Sequence, residues 1–223
     1  MATQDTSTVK TYSVAERFKG KSLVDGWSEY QRMYKESQDD NENFWDKMAK
    51  KKISWFREYN KVKSGTFKDG NVAWFLNGRL NVCYNCVDRH VEEGFGDQVA
   101  IIWEGNKPSE VTKVTYKELQ MNVSRVANAM KRVGLGKGDT VCIYMPMVLE
   151  AAYAMLACAR IGAIHSVVFA GFSATALADR INDASCSVLF TTDEGVRGDK
   201  AVPLKKTVDV ALASCPTIKT VFV

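Results

Sequence analysis

Few folds admit the run from Thr140 to Ser173, TVCIYMPMVLEAAYAMLACARIGAIHSVVFAGFS. Val141, Ile143 and Met145 alternate as a short buried strand that stops at Pro146, a residue unable to donate to a ladder. From Leu149 the apolar positions 149, 152, 153 and 156 follow the spacing of one helix face, and the pattern continues to Ile161. Gly162 ends that helix, and Ile164 to Phe169 is a second apolar run too short for another. Strand, crossover helix and strand within about 30 residues form a βαβ unit whose two strands run parallel. A membrane span is the competing reading. Pro146, Glu150, Arg160, Gly162 and His165 interrupt it, so no charge-free stretch reaches the roughly 18 to 20 residues a spanning helix needs.

With 223 residues the chain is long enough for one or two domains and a sizeable core. Its 30 basic and 26 acidic residues are spread along the whole length, a balance that argues for neither nucleic acid nor a membrane surface as partner. The opening MATQDTSTVK has no apolar stretch after its Met, so no secretory signal is expected. Three of the six cysteines lie inside apolar periodic segments, which suits reduced, buried thiols and a cytoplasmic location.

The chain divides by composition. Residues 1–11 read as a disordered polar tail. Residues 12–80 carry Trp27, Trp45, Trp55 and Trp74 but few aliphatic runs. Tyr30, Met33 and Tyr34 share helical spacing, as do Phe44, Trp45 and Met48 after an Asp39-Asp40-Asn41 cap. Such short aromatic-faced helices describe an N-terminal arm wrapped on a larger body. Residues 81–223 alternate elements. A helix is expected over Asn81–Val91, strands at Val99–Trp103 and Val111–Val114, and a helix capped by Thr115 and Glu118. Beyond the central unit come a helix from Ser173, a strand at Ser187–Thr191, a polar loop over 192–202, a helix from Pro203 and a terminal strand. The fold class is therefore α/β, with a mainly parallel, doubly wound sheet. Thr217–Val223 alternates like a strand with no turn after it, so the chain is expected to be the first part of a longer protein.

Two motifs have ordinary explanations. Gly134-Leu-Gly-Lys-Gly-Asp139 resembles a phosphate loop, but it follows a helix and precedes a strand, the reverse of the required order. A left-handed helix C-cap at Gly134 or Gly136 accounts for it. Cys83, Cys86 and His90 supply three zinc-type ligands where a structural site needs four, and packed helix thiols are the expectation. Two other segments point to chemistry. Phe169-Ala-Gly-Phe-Ser173 follows a parallel strand and opens a helix, where free N–H groups and the helix dipole favour an anion. The next strand delivers Arg197 and Lys200 to the same sheet edge. On the residues alone two readings stand, a phosphate-type anion site or a solvated loop.

These segments also carry a family likeness. Trp74-Phe75, the run Leu80 to His90 (LNVCYNCVDRH), Thr115-Tyr116, Gly162 to Phe169, Gly171-Phe-Ser173, Asp193 to Arg197 (DEGVR) and Pro203 to Lys206 (PLKK) together resemble the N-terminal region of the acyl-adenylate-forming ligases, of the type that activates acetate or propionate. The resemblance covers roughly residues 12–223. It implies that residues 81–223 are the first part of an AMP-binding α/β domain. It also implies ATP-dependent, Mg²⁺-assisted conversion of acetate to acetyl-adenylate and pyrophosphate, after which the thiol of coenzyme A displaces AMP. By position it assigns Phe169, Ala170, Gly171, Arg197, Gly198, Asp199 and Lys200 to the adenine and 3′-phosphate end of CoA, with no catalytic residue and no metal ligand among them. Many relatives have Gly-Gly at 170–171 and arginine at 200. The Ser/Thr/Gly-rich ATP phosphate loop, the carboxylate pocket and the catalytic lysine of the family have no match in these residues. The ATP and Mg²⁺ sites are thus expected in the remaining part of the same polypeptide, and this chain alone is expected to be inactive. The partners implied are small molecules (acetate, ATP and CoA), with no nucleic acid and no membrane. A propionate-activating enzyme, a non-catalytic CoA- or nucleotide-binding module and an inert fragment remain as alternatives.

Overall fold

The computed structural model describes residues 12–223. The polar tail expected at 1–11 lies outside the described residues. The chain forms two compact units, one running to Ile53 and resuming over Tyr59–Asn77, the other holding Ser54–Glu58 and Gly78–Val223.

In the first unit, α1 (Gly26–Asp39) and α2 (Asn41–Lys52) precede an antiparallel hairpin of β1 (Lys61–Thr66) and β2 (Asn71–Leu76). The hairpin corrects the purely helical reading of this region. Its strands hold few aliphatic residues, and the turn between them, with Gly70 at φ 62°, leaves little apolar alternation to read. Tyr59 Oη donates to Asp46 Oδ1 at 2.7 Å and links the hairpin's approach to α2. Tyr30, Met33 and Tyr34 lie on α1 as their spacing predicts, and Trp27, Tyr30 and Tyr34 stack along it, all three exposed.

The second unit begins with a helical stretch containing two π-helical turns, Tyr84–Asp88 and Val91–Phe95, where a plain helix was expected. Cys83 is fully buried, whereas Cys86 is exposed, so only one of the two thiols is packed. Antiparallel β3 (Val99–Glu104) and β4 (Val111–Thr115) follow. Then come α3 (Tyr116–Arg132), β5 (Thr140–Ile143), α4 (Leu149–Ile161), β6 (Ile164–Val167), α5 (Ala174–Asp183) and β7 (Val188–Phe190). The chain closes with β8 (Gly195–Arg197), β9 (Lys200–Val202), α6 (Leu204–Leu212) and β10 (Thr220–Phe222). Local chemistry explains several boundaries. Thr115 and Glu118 form a reciprocal capping box on α3. Gly134 takes φ 87° just after α3, and Gly162 takes φ 78° as the C-cap of α4, both in the left-handed region open to glycine.

The central sheet is parallel throughout, in the order β10-β7-β5-β6. Side-chain alternation sorts the strands onto two cores. Val141 and Ile143 of β5, with Val188 and Phe190 of β7, pack with α3 and α4. Cys142, Tyr144 and Leu189 pack with α5 and α6. Asp88 accepts from Arg160 at 2.9 Å and from Gln120 at 2.9 Å, tying the π-helical stretch to α4 and α3. The polar loop expected at 192–202 is instead the β8–β9 hairpin. Gly198 opens its two-residue turn at φ 60° and Asp199 follows at negative φ, the pattern of a type II′ turn.

Candidate functional site

Strand order fixes where a site can form. From β5 the chain moves to β6 on one side, then crosses to β7 and β10 on the other, so the carboxyl ends of all four strands share one edge. The ladder extends one residue beyond each strand there. Val168 N–H donates to Ile143 O at 2.9 Å, Tyr144 N–H to Phe190 O at 2.9 Å, and Thr191 N–H to Phe222 O at 2.9 Å. The turn at 169–173 and the segment leading to 197–200 therefore leave the same edge, with β5 between them.

The turn after β6 is built from inside the protein. Phe172 N–H donates to Phe169 O at 3.0 Å, closing it. Ser173 caps α5, its hydroxyl accepting from Ala176 N–H at 3.3 Å. Tyr144, just past β5 and 1% exposed, places its hydroxyl on two carbonyls of the turn, Ala170 O at 3.0 Å and Phe172 O at 2.8 Å. Burial pushes this phenol above its ordinary value, so it keeps its proton further into the alkaline range than a free tyrosine. Phe169 is exposed and meets Phe172 edge-on at 5.8 Å. Its ring lies over Gly171, where a Cβ would come within 2.5 Å of it. Arg180 stacks on Phe172 at 4.5 Å and brings a third cation to this edge.

The hairpin after β7 is held differently. Gly195 is buried at its root, where a Cβ would lie 3.3 Å from Pro146 and 3.5 Å from Leu204. At its tip Gly198 O accepts from the Asn106 amide on the β3–β4 turn. Arg197 and Lys200 stand opposite each other in register, exposed, and neither enters an ion pair among the described residues. Gly198 and Asp199 form the tip between them. Among the described residues, no hydrogen bond or ion pair joins 169–171 to 197–200; the structure sets the seven residues on one edge as two separately anchored segments.

A cleft of about 550 Å³ opens where the strand order reverses, between the β3–β4 turn, Pro146–Val148 and Glu194–Val196. None of the seven residues lines it. An anion there meets Glu104, Glu110 and Glu194 against Lys107 alone, so its charge suits a phosphate less well than the turn and hairpin do. Among the described residues, no cluster of His, Cys, Asp or Glu could hold a metal ion, and no helix is long and apolar enough to cross a membrane. Sequence reasoning missed Tyr144 and Asn106. A buried tyrosine hydroxyl needs a partner, which flags Tyr144, but that partner lies 26 residues on and only the fold reveals it.

A family model described as AMP-binding enzyme matches residues 87–221, and one described as Acetyl-coenzyme A synthetase N-terminus matches residues 30–86. The chain is 54% identical over 195 residues to an acetyl-coenzyme A synthetase 2 of Pseudomonas aeruginosa, covering 87% of this chain and 30% of that protein. It is 51% identical over 217 residues to an acetyl-coenzyme A synthetase of Magnetococcus marinus, covering 97% and 33%. Against one from Dictyostelium discoideum the figures are 47% over 206 residues, 92% and 30%. The chain thus spans about a third of the length of the curated relatives it matches.

Proposed function

The chain belongs to the AMP-binding enzyme family, and we propose that it is the N-terminal part of an ATP-dependent acetate–CoA ligase. The reaction is acetate plus ATP plus CoA to acetyl-CoA, AMP and pyrophosphate, by way of acetyl-adenylate. The observation that carries this reading is identity near 50%, along almost the whole chain, to proteins named acetyl-coenzyme A synthetase. Residues 12–80 are read as an aromatic-rich N-terminal arm that includes the β1–β2 hairpin, and 81–223 as the first part of the AMP-binding domain. Helices packing on both faces of the parallel sheet support a doubly wound fold. Five buried free thiols suit a cytoplasmic protein.

In this reading the 223 residues anchor CoA. Phe169, Ala170 and Gly171 receive it on one side, and Arg197, Gly198, Asp199 and Lys200 on the other. Two observations support the fit. The amide N–H groups of Gly171 and Ser173 have no acceptor among the described residues, and the cations at 197 and 200 are exposed without ion-pair partners. Bound CoA supplies the thiol; the residues here hold its phosphate-bearing end. ATP and Mg²⁺ are assigned to the remainder of the polypeptide.

The test is acetate-dependent exchange of pyrophosphate into ATP. The full-length protein that carries this chain is expected to catalyse it, faster with acetate than with propionate, and the purified 223-residue chain is expected to give none. No exchange with any short carboxylate by the full-length protein overturns the proposal.

A further inference from the structure

The peptide geometry at the β6–α5 turn shows how its donors are aimed. A trans peptide is planar, so its C=O and N–H point in opposite directions. The Tyr144 hydroxyl binds the carbonyls of Ala170 and Phe172 from the protein interior, at 3.0 and 2.8 Å. The N–H groups on the far sides of those same two peptides belong to Gly171 and Ser173. Both face away from Tyr144, and neither has an acceptor among the described residues. The intervening N–H, that of Phe172, is spent on Phe169 O. One buried phenol, sharing its proton between two carbonyls, thus holds two alternate peptide planes and leaves an outward pair of donors ahead of α5, where the helix dipole also favours an anion.

We propose that Tyr144 is a positioning residue that orients the Gly171 and Ser173 N–H groups toward a phosphate of the bound nucleotide. It never touches the ligand itself. Its ring is rooted in the core with Cys142, Leu177, Leu204 and Val208, so the hydroxyl has little freedom to follow a drifting turn. The hydroxyl has one proton to share between the two carbonyls, the shorter contact being to Phe172 O, and without it both peptide planes lose that shared restraint. The inference rests on the CoA-anchoring reading above.

The experiment is Tyr144→Phe in the full-length protein, with Arg197→Ala as its companion. Removing one hydroxyl while keeping the ring should raise Kd and KM for CoA about five- to tenfold, the equivalent of about one hydrogen bond. Pyrophosphate exchange, which precedes CoA attack, and kcat at saturating CoA should stay within about twofold of the parent. Hydrogen–deuterium exchange of the unliganded protein should quicken over 169–173 and stay unchanged over 195–202. If CoA binding is unchanged by Tyr144→Phe but weakened by Arg197→Ala, the positioning role is overturned and the anchoring reading stands. If neither substitution weakens CoA, both are overturned. Equal losses in exchange and in the CoA step would make Tyr144 a general structural residue, also against the proposal.

Discussion

The turn after β6 and the hairpin after β7 leave the same sheet edge, yet they are held in opposite ways. The turn is pinned from beneath by a phenol in the core, and its donors are backbone N–H groups. The hairpin stands in solvent on a buried glycine root and one side-chain tether, and its donors are long cationic side chains. The difference teaches a division of labour. Backbone donors cannot reach for a ligand, so their peptide planes must be set in advance. Arginine and lysine can reach, so their strand needs only to be nearby.

That contrast gives graded expectations, all for the full-length protein. Replacing both Arg197 and Lys200 with alanine should weaken CoA about a hundredfold or more, since charged hydrogen bonds to phosphate contribute about 1.5–3 kcal/mol each. Its melting temperature should hardly move, because neither side chain has a partner to lose; a titration beside a melting curve checks both. Tyr144→Phe should weaken CoA less, by about five- to tenfold, but should also cost about 1–2 kcal/mol of stability in denaturant unfolding, because the proton shared between two carbonyls is lost. It should also change the alkaline limb. The fold raises this phenol's pKa and so favours its neutral form. Its stabilisation is full below the unfolded value of about 10 and is lost as pH rises through the folded value. Above about pH 10 the parent should therefore lose stability faster than the phenylalanine variant.

Asn106→Ala releases only the tip of the hairpin. CoA binding should weaken about two- to threefold, with stability within about 0.5 kcal/mol of the parent. The smallest effect on stability is expected from Gly171→Ala. The nearest atoms to the new methyl belong to the exposed ring of Phe169, which can swing aside, so stability should move by less than about 0.5 kcal/mol. A shift of the Phe169 ring in a crystal structure or by NMR would report it.

The sequence was informative where physics is local. Alternation at 141 and 143, helical spacing from Leu149, and glycine at 162 fix the β5-α4-β6 unit. Ser173 as a cap marks the turn, and Thr115 with Glu118 marks α3. Sequence reading failed where the cause is distant or the element too short to have a period. The β8 and β9 strands are three residues each, and their Gly198-Asp199 turn passed for loop composition. β6 lies at the edge of the sheet, with Ile164 and Val167 exposed, so its apolar run overstates its burial. The two π-helical turns before β3 leave no mark in the apolar spacing of the chain; the contacts of the first, Val87 in the core and Asp88 with Arg160, are long-range. Likewise, the residue types of the proposed anion site were legible on one edge, while the phenol and amide that hold the turn and the hairpin emerged only from the fold.

Central to the CoA-anchoring proposal is that Arg197 on the hairpin holds the 3′-phosphate of CoA. A double-mutant cycle tests it, titrating CoA and 3′-dephospho-CoA against the full-length protein and its Arg197→Ala variant. The account predicts that Arg197→Ala weakens CoA by about tenfold or more but dephospho-CoA by less than about twofold, because the guanidinium has lost its phosphate. Equal weakening of both ligands, or of neither, would contradict it.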